Sequence, residues 1–581
     1  MNDARAASPT PRRPLRLWPG VLLAALACVT WFVLPIILPG QGIYWMMATV
    51  AAGLGIVVWW AFFSRAPHLE RWGAVLLMIV ALAATSRVLH VSVSNAGRGM
   101  LFIFLAIPLL SFVFVVGVLA GRRLADRPRR AVMVAAILLA SGGWALVRIG
   151  GINPLDFAWR WSATPEERLL VQAGAEPPAT AGEGPAGLVP SPRAVETSAE
   201  WPGFRGPDRN GVVPGVRIET DWTASPPVEL WRRPIGPGWS SVAVDRDRLY
   251  TQEQRGDHEV VASYEVKTGE PVWMHRDATR FWEANAGPGP RATPTLDNGR
   301  VYTLGATGVV NALDAASGAV VWSRNAASDT GAKAPYWGFA GSPLAIDDVV
   351  IVAASGKLVA YESATGNPRW FGPAGGVSYS SPHLLIIDGV AQVLLLGQGA
   401  ISVAPADGAV LWEHAWAGFT MVQPALTADG DVLISDESLG IRRIVVTHEP
   451  GGWTATERWT STGLKPNFND YVVHRGHAFG FDGNILACIG LEDGQRKWKG
   501  GRYGNGQLVL LSGQDLLLVL SDRGELALVA ATPERFREFA RFPAIEGKTW
   551  NHPVVVGDLL LVRNDQEMAA FRLPLAAVAS R

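Results

Sequence analysis

The chain has 581 residues, of which 49% are hydrophobic and only 18% are charged. Soluble proteins carry about 25% charged residues, so part of this chain is expected to lie in lipid. The 51 Lys and Arg balance the 51 Asp and Glu, and this zero net charge disfavours nucleic acid as a partner. The two cysteines, Cys28 and Cys488, are far apart, which excludes a disulfide framework, a CxxC zinc site and a CxxCH haem attachment.

Five apolar stretches of bilayer-spanning length fill residues 17–147. They are 17–38, 43–63, 72–89, 100–120 and 131–147. Arginines are concentrated in residues 1–16 and in the loops after the second and fourth stretches, and positively charged loops stay in the cytoplasm. The sequence therefore predicts a cytoplasmic N-terminus, five transmembrane helices and export of everything that follows. The alternative for the first stretch is a twin-arginine signal peptide at Arg12 and Arg13.

Residues 148–200 are rich in Pro, Ala and Gly, as in GAEPPATAGEGPAGLVPSP. Such a composition offers few side chains that can form a core. The sequence therefore predicts a linker here, followed by a separate exported domain at residues 201–581.

A glycine followed four residues later by tryptophan recurs through the C-terminal domain. The pairs are Gly269 with Trp273, Gly318 with Trp322, Gly366 with Trp370, Gly408 with Trp412 and Gly494 with Trp498. Degenerate copies at Trp231, Trp459 and Phe536 bring the strand-ending aromatic residues to eight. Roughly 40 to 50 residues separate them, which is the length of a four-stranded propeller blade. The last blade lacks a fourth strand, and the strand around 229–231 is predicted to complete it.

The motif A-x-D/E-x-x-x-G-x-x-x-W, complete at Ala312–Trp322 and at Ala360–Trp370, resembles the tryptophan-docking motif of pyrroloquinoline quinone (PQQ) repeats. The resemblance covers residues 201–573 and implies an all-β, quinoprotein-like, eight-bladed β-propeller. Five spans before such a propeller resemble the layout of membrane-bound quinoprotein glucose dehydrogenases. The same propeller also serves as the non-catalytic scaffold lipoprotein of the outer-membrane β-barrel assembly machinery, so the fold alone does not assign a reaction.

In a propeller the first strand of each blade lines the central channel, so the segments that lead into these strands converge at one mouth. The cofactor-binding candidates there are Arg291, Trp337, Tyr379, Gln423, Lys548, Trp550, Asn551 and His552. Because PQQ is a planar tricarboxylate, Arg291 and Lys548 are expected to meet its carboxylates. Asp470, with Asn469 or Asn467, is expected to hold Ca²⁺, or Asp470 to act as the general base. The alternative is that Asn, Asp and Ser at these places make turns and cap backbone groups.

Two functions remain open on the sequence alone. The first is a PQQ-dependent dehydrogenase, with PQQ and Ca²⁺ as cofactors, that oxidises an alcohol or sugar and passes electrons to membrane quinone. The second is a non-catalytic scaffold that binds a protein or a polysaccharide of the cell envelope. The compact blades and the lack of an adjacent cysteine pair weaken the dehydrogenase hypothesis, whereas the quinoprotein-like fold favours it, and the scaffold is the alternative. Either protein is expected in the cytoplasmic (inner) membrane, with its propeller in the periplasm or outside.

Overall fold

The computed structural model describes residues 15–37, 42–151, 156–172, 199–418 and 420–576. The chain divides into two compact units. The first contains residues up to Ser162 together with Glu283–Gly287, and the second contains the remainder. The predicted cytoplasmic N-terminus, up to residue 14, and the predicted linker over 173–198 lie outside the described residues.

The first unit is a bundle of apolar helices. Their bounds are Trp18–Cys28, continued by a π turn at Val29–Val33 and by Leu34–Ile37, then Gly42–Phe63, His68–Ser86, Leu101–Ala120 and Asp126–Gly142. Among the described residues, four segments are long and apolar enough to cross a membrane, namely Tyr44–Phe63, His68–Ser86, Leu101–Arg123 and Asp126–Leu146. The first predicted span contains a shorter apolar helix, Trp18–Val33. This arrangement is compatible with the five predicted spans.

The arginine-rich segments meet at one end of this bundle. Glu70, whose side chain is 1% exposed, accepts hydrogen bonds from Arg129 at 2.8 Å and from Arg130 at 2.9 Å. The backbone N–H of Arg16 donates to the carbonyl oxygen of Ser64 at 3.1 Å. Loops that the sequence assigns to a common side of the membrane are therefore in contact with one another.

Regular structure extends beyond the last apolar helix. A hairpin pairs Val147–Gly151 with Asp156–Trp159, and a helix covers Pro165–Gln172 in the second unit. The helix begins with a capping box, because the Thr164 N–H donates to the Glu167 carboxylate at 2.6 Å and the Glu167 N–H to the Thr164 hydroxyl at 3.0 Å. Apart from Val147, which ends the fifth predicted span, both elements lie inside residues 148–200, the region predicted as a linker.

The second unit is a β-propeller, and among the described residues eight sheets form its blades, which confirms the predicted fold. The strands of blades 1 to 4 are given from the channel outward. Blade 1 consists of Ala243–Asp245, Arg248–Arg255, His258–Glu265 and Pro271–Asp277. Blade 2 consists of Thr295–Asp297, Arg300–Leu304, Val309–Asp314 and Val320–Asn325. Blade 3 consists of Leu344–Ile346, Val349–Ala354, Lys357–Glu362 and Pro368–Ala374, and blade 4 of His383–Ile387, Val390–Gly397, Gly399–Val403 and Val410–Ala415.

Blades 5 to 8 follow the same order. Blade 5 consists of Ala425–Leu426, Val432–Asp436, Gly440–Glu449 and Gly452–Ser461. Blade 6 consists of Val472–His474, His477–Asp482, Ile485–Gly490 and Arg496–Arg502. Blade 7 consists of Gln507–Leu511, Leu516–Leu520, Glu525–Ala530 and Glu538–Pro543, and blade 8 of Val554–Val556, Leu559–Arg563, Glu567–Arg572 and Val228–Pro234.

The ends of the propeller chain are joined within one sheet. The strand Val228–Pro234 pairs antiparallel with Glu567–Arg572, so the prediction that the strand around 229–231 completes the last blade is confirmed. From blade 8, the buried Arg563 donates to the carbonyl oxygens of Gln252 at 3.0 Å and Gly236 at 3.2 Å in blade 1. The pairing and these contacts close the ring of blades and leave no gap between the first and the last.

Five repeat tryptophans, Trp231, Trp273, Trp322, Trp370 and Trp459, pack on the glycine turn of the next blade. Trp322 of blade 2 donates its indole N–H to the carbonyl oxygen of Ser363 in blade 3 at 2.9 Å. A Cβ on Gly366 would lie 2.7 Å from that indole, and Gly366 has φ +73°, so both space and backbone require glycine. The same indole bond recurs from Trp231 to Val266, Trp273 to Ala315, Trp370 to Pro405, Trp459 to Leu491 and Trp498 to Thr532. Glycine and tryptophan therefore recur together because they meet across blade interfaces.

Candidate functional site

One polar residue stands at the same place in each leading segment of the propeller. These eight residues, called here the polar ring, are Ser241, Thr293, Ser342, Ser381, Gln423, Asp470, Gln507 and His552. All of them are buried. At five consecutive steps a backbone N–H donates to the side chain of the next member, from Ser241 to Thr293 (3.0 Å), to Ser342 (2.9 Å), to Ser381 (2.9 Å), to Gln423 (3.2 Å) and to Asp470 (2.7 Å).

Two further members complete the circuit. The Gln507 amide donates to the carbonyl oxygens of Phe468 at 3.1 Å and Trp550 at 3.2 Å, which belong to the blades on either side. The Ser241 hydroxyl donates to the His552 carbonyl oxygen at 2.6 Å. The polar ring thus links all eight blades, and three predicted site residues, Gln423, Asp470 and His552, are members of it.

Residues 201–213, called here the channel segment, reach across the channel. On one side Arg209 donates to the carbonyl oxygens of Ser342 at 3.0 Å and Pro343 at 2.8 Å, in blade 3. On the other side Arg205 donates to the Tyr471 carbonyl oxygen of blade 6 at 2.6 Å. Blades 3 and 6 lie on nearly opposite sides of an eight-bladed ring, so only a segment that spans the channel can reach both. The segment also adds Val212–Val213 to blade 7 as a fifth, parallel strand.

Asp470, the predicted base and metal ligand, has protein partners on each side. Its Oδ1 accepts the Gln423 N–H at 2.7 Å and lies 3.6 Å from the Arg205 guanidinium. Burial raises the pKa of Asp470, and the nearby Arg205 charge acts in the opposite direction. Asp470 therefore connects the ring to the channel segment.

Lys548 and Trp550 belong to an aromatic group at the mouth. The Lys548 ammonium lies 4.4 Å from the centre of the Trp550 ring and 5.5 Å from that of Trp239. Trp550 also packs against Trp239 at 4.8 Å and Phe468 at 4.9 Å between ring centroids. This group combines a cation with flat apolar faces, which suits a planar anion.

Arg291, Trp337 and Tyr379 form a second aromatic group. The Arg291 guanidinium lies 5.1 Å from the Phe281 ring centre and donates to the Gly289 carbonyl oxygen at 2.7 Å. Trp337 and Tyr379 have ring centroids 5.0 Å apart, and the Tyr379 hydroxyl accepts the Trp337 N–H at 3.2 Å. The predicted mouth residues are therefore divided between two aromatic groups and the polar ring.

The predicted asparagines hold the backbone of the leading segments. Asn469 Oδ1 accepts the Asn467 N–H at 2.9 Å, and Asn551 Nδ2 donates to the Ser240 carbonyl oxygen at 2.7 Å. Among the described residues, no group of three or more His, Cys, Asp or Glu side chains is arranged to hold a metal ion. Asp470 supplies one carboxylate, and the Arg205 guanidinium already stands beside it. These residues do not fit a Ca²⁺ site, which takes six to eight oxygen ligands.

Glu259, in the third strand of blade 1, titrates near neutral pH. Its Oε1 accepts the Ala306 N–H at 3.1 Å, and its Oε2 has no donor among the described residues. Burial, more than the neighbouring Asp277, raises the pKa of Glu259 from 4.5 to about 7. Because the folded-state pKa is the higher one, stability is lost as the pH rises from 4.5 to about 7.

We therefore expect Glu259→Gln to raise the free energy of unfolding by about 3 kcal/mol at pH 8 and to change it little at pH 4. Urea unfolding of both proteins at the two pH values measures the difference. Glu413→Gln, at an exposed glutamate, serves as the control. It is expected to leave unchanged the difference in the free energy of unfolding between pH 4 and pH 8. An equal effect of Glu259→Gln at both pH values would contradict this prediction.

Sequence reasoning missed Arg205, Arg209, Trp239 and Phe468. The segment WPGFRGPDRNGV that carries both arginines is conspicuous for its Gly and Arg content. Arg205 and Arg209 adopt φ +63° and +53°, which residues other than glycine rarely do, so no propensity signals their inward position.

The comparisons with known proteins agree with the repeat architecture. A family model described as "Outer membrane protein assembly factor BamB" matches residues 222–381 and 258–500 of this chain. The chain is 26% identical over 223 residues to outer membrane protein assembly factor BamB of Moranella endobia (strain PCIT), covering 35% of this chain and 56% of that protein. The chain thus spans little more than half the length of this curated relative.

Two solved structures align with part of this chain. Quinohemoprotein alcohol dehydrogenase ADHIIG from Pseudomonas putida HK5 aligns with a TM-score of 0.47 at 13% identity, over 66% of this chain and 81% of that one. BamB from Moraxella catarrhalis aligns with a TM-score of 0.33 at 13% identity, over 59% and 84%. The repeats, the eight blades and the family match together identify the C-terminal domain as an eight-bladed β-propeller of PQQ-like repeats.

Proposed function

We propose that this chain is a membrane-anchored propeller scaffold that binds a protein of the bacterial cell envelope and does not itself catalyse a reaction. The observation that carries this proposal is that side chains in the channel bond to other blades. Asp470, Gln423 and His552 bond to neighbouring blades, and Arg205 and Arg209 extend between opposite blades. A general base has to reach its substrate, whereas the side chains of Asp470 and Gln423 are buried and bond to neighbouring blades. The buried His552 contributes its backbone carbonyl oxygen.

The proposed location is the cytoplasmic membrane, with the N-terminus inside and the propeller in the periplasm. Apolar helices of spanning length supply the anchor, and the arginine-rich segments meet at one end of the bundle, as the positive-inside rule requires for a cytoplasmic end. The curated relative is an outer membrane protein assembly factor, and we assign this chain to the same broad task of assembling envelope proteins.

Blade 4 offers an apolar surface for such a partner. Ile386 is 63% exposed, Val390 36% and Val410 46%. Ile386 is the last but one residue of the first strand, while Val390 and Val410 begin the second and fourth, so all three lie at the end of the blade away from the mouth. Exposed apolar residues grouped in this way are typical of protein interaction sites.

Site-specific photocrosslinking from Ile386 in living cells tests this proposal. The control position is Ala345, which also lies two residues before the turn that joins the first two strands, but in blade 3. We expect one envelope protein to crosslink at Ile386 and not at Ala345. Ile386→Asp is expected to lower assembly of that protein at least fivefold and to leave the Tm of the purified full chain unchanged. Normal assembly in the Ile386→Asp strain would overturn the proposal.

A PQQ-dependent dehydrogenase that delivers electrons to membrane quinone is the second candidate, favoured by the group at Lys548. Its ammonium and the faces of Trp550 and Trp239 fit a flat carboxylate-bearing cofactor. Bound PQQ would supply two-electron redox chemistry for an alcohol or sugar. Lys548 would hold a carboxylate there, and Trp550 would orient the ring plane.

Quenching of tryptophan fluorescence in the purified full chain by PQQ, with and without Ca²⁺, separates the two candidates. For the scaffold we expect no saturable binding. For the dehydrogenase, binding is expected at micromolar concentration or tighter, about −8 kcal/mol or better, and Lys548→Gln is expected to weaken it at least tenfold. The matched control is Lys499→Gln. Lys499 lies on the outer strand of blade 6 and donates to Asp482.

A further inference from the structure

Two arginines of the channel segment are buried inside the propeller, and one of them, Arg205, lies beside a carboxylate. Arg205 is 2% exposed and Arg209 is 8% exposed. Arg205 lies 3.6 Å from Asp470 Oδ1. Arg209 donates to two backbone carbonyl oxygens, those of Ser342 and Pro343, and no described carboxylate lies within ion-pair distance of it. The interior of the channel therefore carries an excess positive charge.

That charge is present at neutral pH. Burial, and then the neighbouring Arg205 charge, lower the pKa of Arg209 to about 10, which still leaves the guanidinium protonated at pH 7. A buried cation is costly unless an anion or a full set of hydrogen-bond acceptors compensates it. Two carbonyl oxygens satisfy only part of the five N–H donors of a guanidinium.

Polar nitrogens in the same part of the channel have no partner among the described residues. They are Arg205 Nε, Arg209 Nε and His383 Nδ1. His383 is 4% exposed and begins the first strand of blade 4. Burial and the charges of Arg209 and Arg205 lower the pKa of His383 to about 3, so its ring is neutral and retains one N–H that can donate. Unpartnered N–H donors and positive charge are thus present together inside the propeller.

The backbone is arranged to bring these groups inward. Arg205 and Arg209 both have positive φ, a conformation that costs a residue with a side chain of order 1 kcal/mol or more and persists only where the surroundings hold it. The contacts of the channel segment with blades 3, 6 and 7 supply that restraint. At these two positions the guanidiniums reach blades 6 and 3 from inside the channel.

We propose that the propeller channel binds a small inorganic anion, of the size and charge of chloride, held by Arg209, Arg205 and His383. Chloride is bound by N–H donors, and Arg209 Nε and Arg205 Nε are buried donors without a partner among the described residues. The anion balances Arg209 and ties the channel segment to the inner strand of blade 4, so that it acts as a structural ligand of the propeller. This inference does not depend on whether the protein is a scaffold or a dehydrogenase.

Thermal unfolding of the full chain in detergent tests the site. The Tm is measured in the sodium salts of chloride, bromide, phosphate and gluconate at equal ionic strength. We expect chloride and bromide to raise the Tm above its value in gluconate by about 2 °C for each tenfold rise in concentration above the Kd. If phosphate raises the Tm and the halides do not, the anion bound at this site is an oxyanion and not a halide. Arg209→Gln is expected to abolish the rise in Tm that depends on the anion. Arg217→Gln, at an exposed arginine that bonds to the Gly513 carbonyl oxygen, is expected to retain this rise.

Crystals grown in bromide give the second readout. We expect an anomalous peak at N–H···Br distance from the Arg209 and His383 nitrogens. Equal Tm values in all four salts, with no bromide peak in the channel, would overturn the proposal. A peak without any effect on Tm is an adventitious ion only and would overturn it as well. Both measurements on the unmodified chain stand even if Arg209→Gln fails to fold.

Discussion

Trp322→Ala is expected to lower the free energy of unfolding by about 4 kcal/mol, because it removes a large buried side chain from a blade interface. Trp322 is 7% exposed and packs between Tyr302 and Tyr361, with ring centroids 6.1 and 5.9 Å away. Its face covers the turn at Gly366. The cavity left by alanine cannot collapse easily, since the backbone on both sides belongs to hydrogen-bonded strands.

Urea unfolding of the full chain, followed by intrinsic fluorescence, measures this loss. Trp322→Phe is expected to cost less, about 1 to 2 kcal/mol, because it keeps an aromatic face on the turn and gives up the bond to the Ser363 carbonyl oxygen. The control is Trp161→Ala, at a tryptophan that is 68% exposed. A loss below about 1 kcal/mol for Trp322→Ala would show that the docked indole is not what holds neighbouring blades together.

Asp470→Ala is expected to lower the free energy of unfolding by about 3 to 5 kcal/mol, because it leaves the buried Arg205 without its carboxylate. It also removes the acceptor of the Gln423 N–H and so opens the polar ring between blades 5 and 6. Asp470→Asn keeps an acceptor oxygen at that position. Its expected cost is smaller, about 1 to 3 kcal/mol, from the lost charge alone.

The two variants separate a structural role of Asp470 from a catalytic one. If Asp470 holds the ring, stability follows the order wild type, Asn, Ala, and Asp388→Asn at an exposed turn is expected to change nothing. If Asp470 were a general base, the asparagine variant would remain nearly as stable as the wild type but lose all PQQ-dependent dye reduction with alcohols and sugars. Unfolding curves and a dye-linked assay on the same preparations decide between the two.

The sequence by itself determined the features that depend on local pattern. Apolar stretches of bilayer length specify helices wherever they occur, because each backbone group must be satisfied within its own segment in lipid. The Gly and Trp repeat specifies blades, because every blade must bury the same faces against its neighbours, and the count of strands showed that the segment around 229–231 had to close the last sheet. Neither inference needs the position of any residue far away in the chain.

Only the tertiary structure decided what the channel contains. The polar ring joins residues about one blade apart, and Arg205 reaches Tyr471 across 266 residues. A predicted catalytic aspartate thereby lies next to an arginine that the sequence does not mark as a channel residue. The reason is physical: propensity and periodicity report on neighbours within a few residues, whereas the burial and pairing of a charge depend on whatever side chain the closed ring of blades brings beside it.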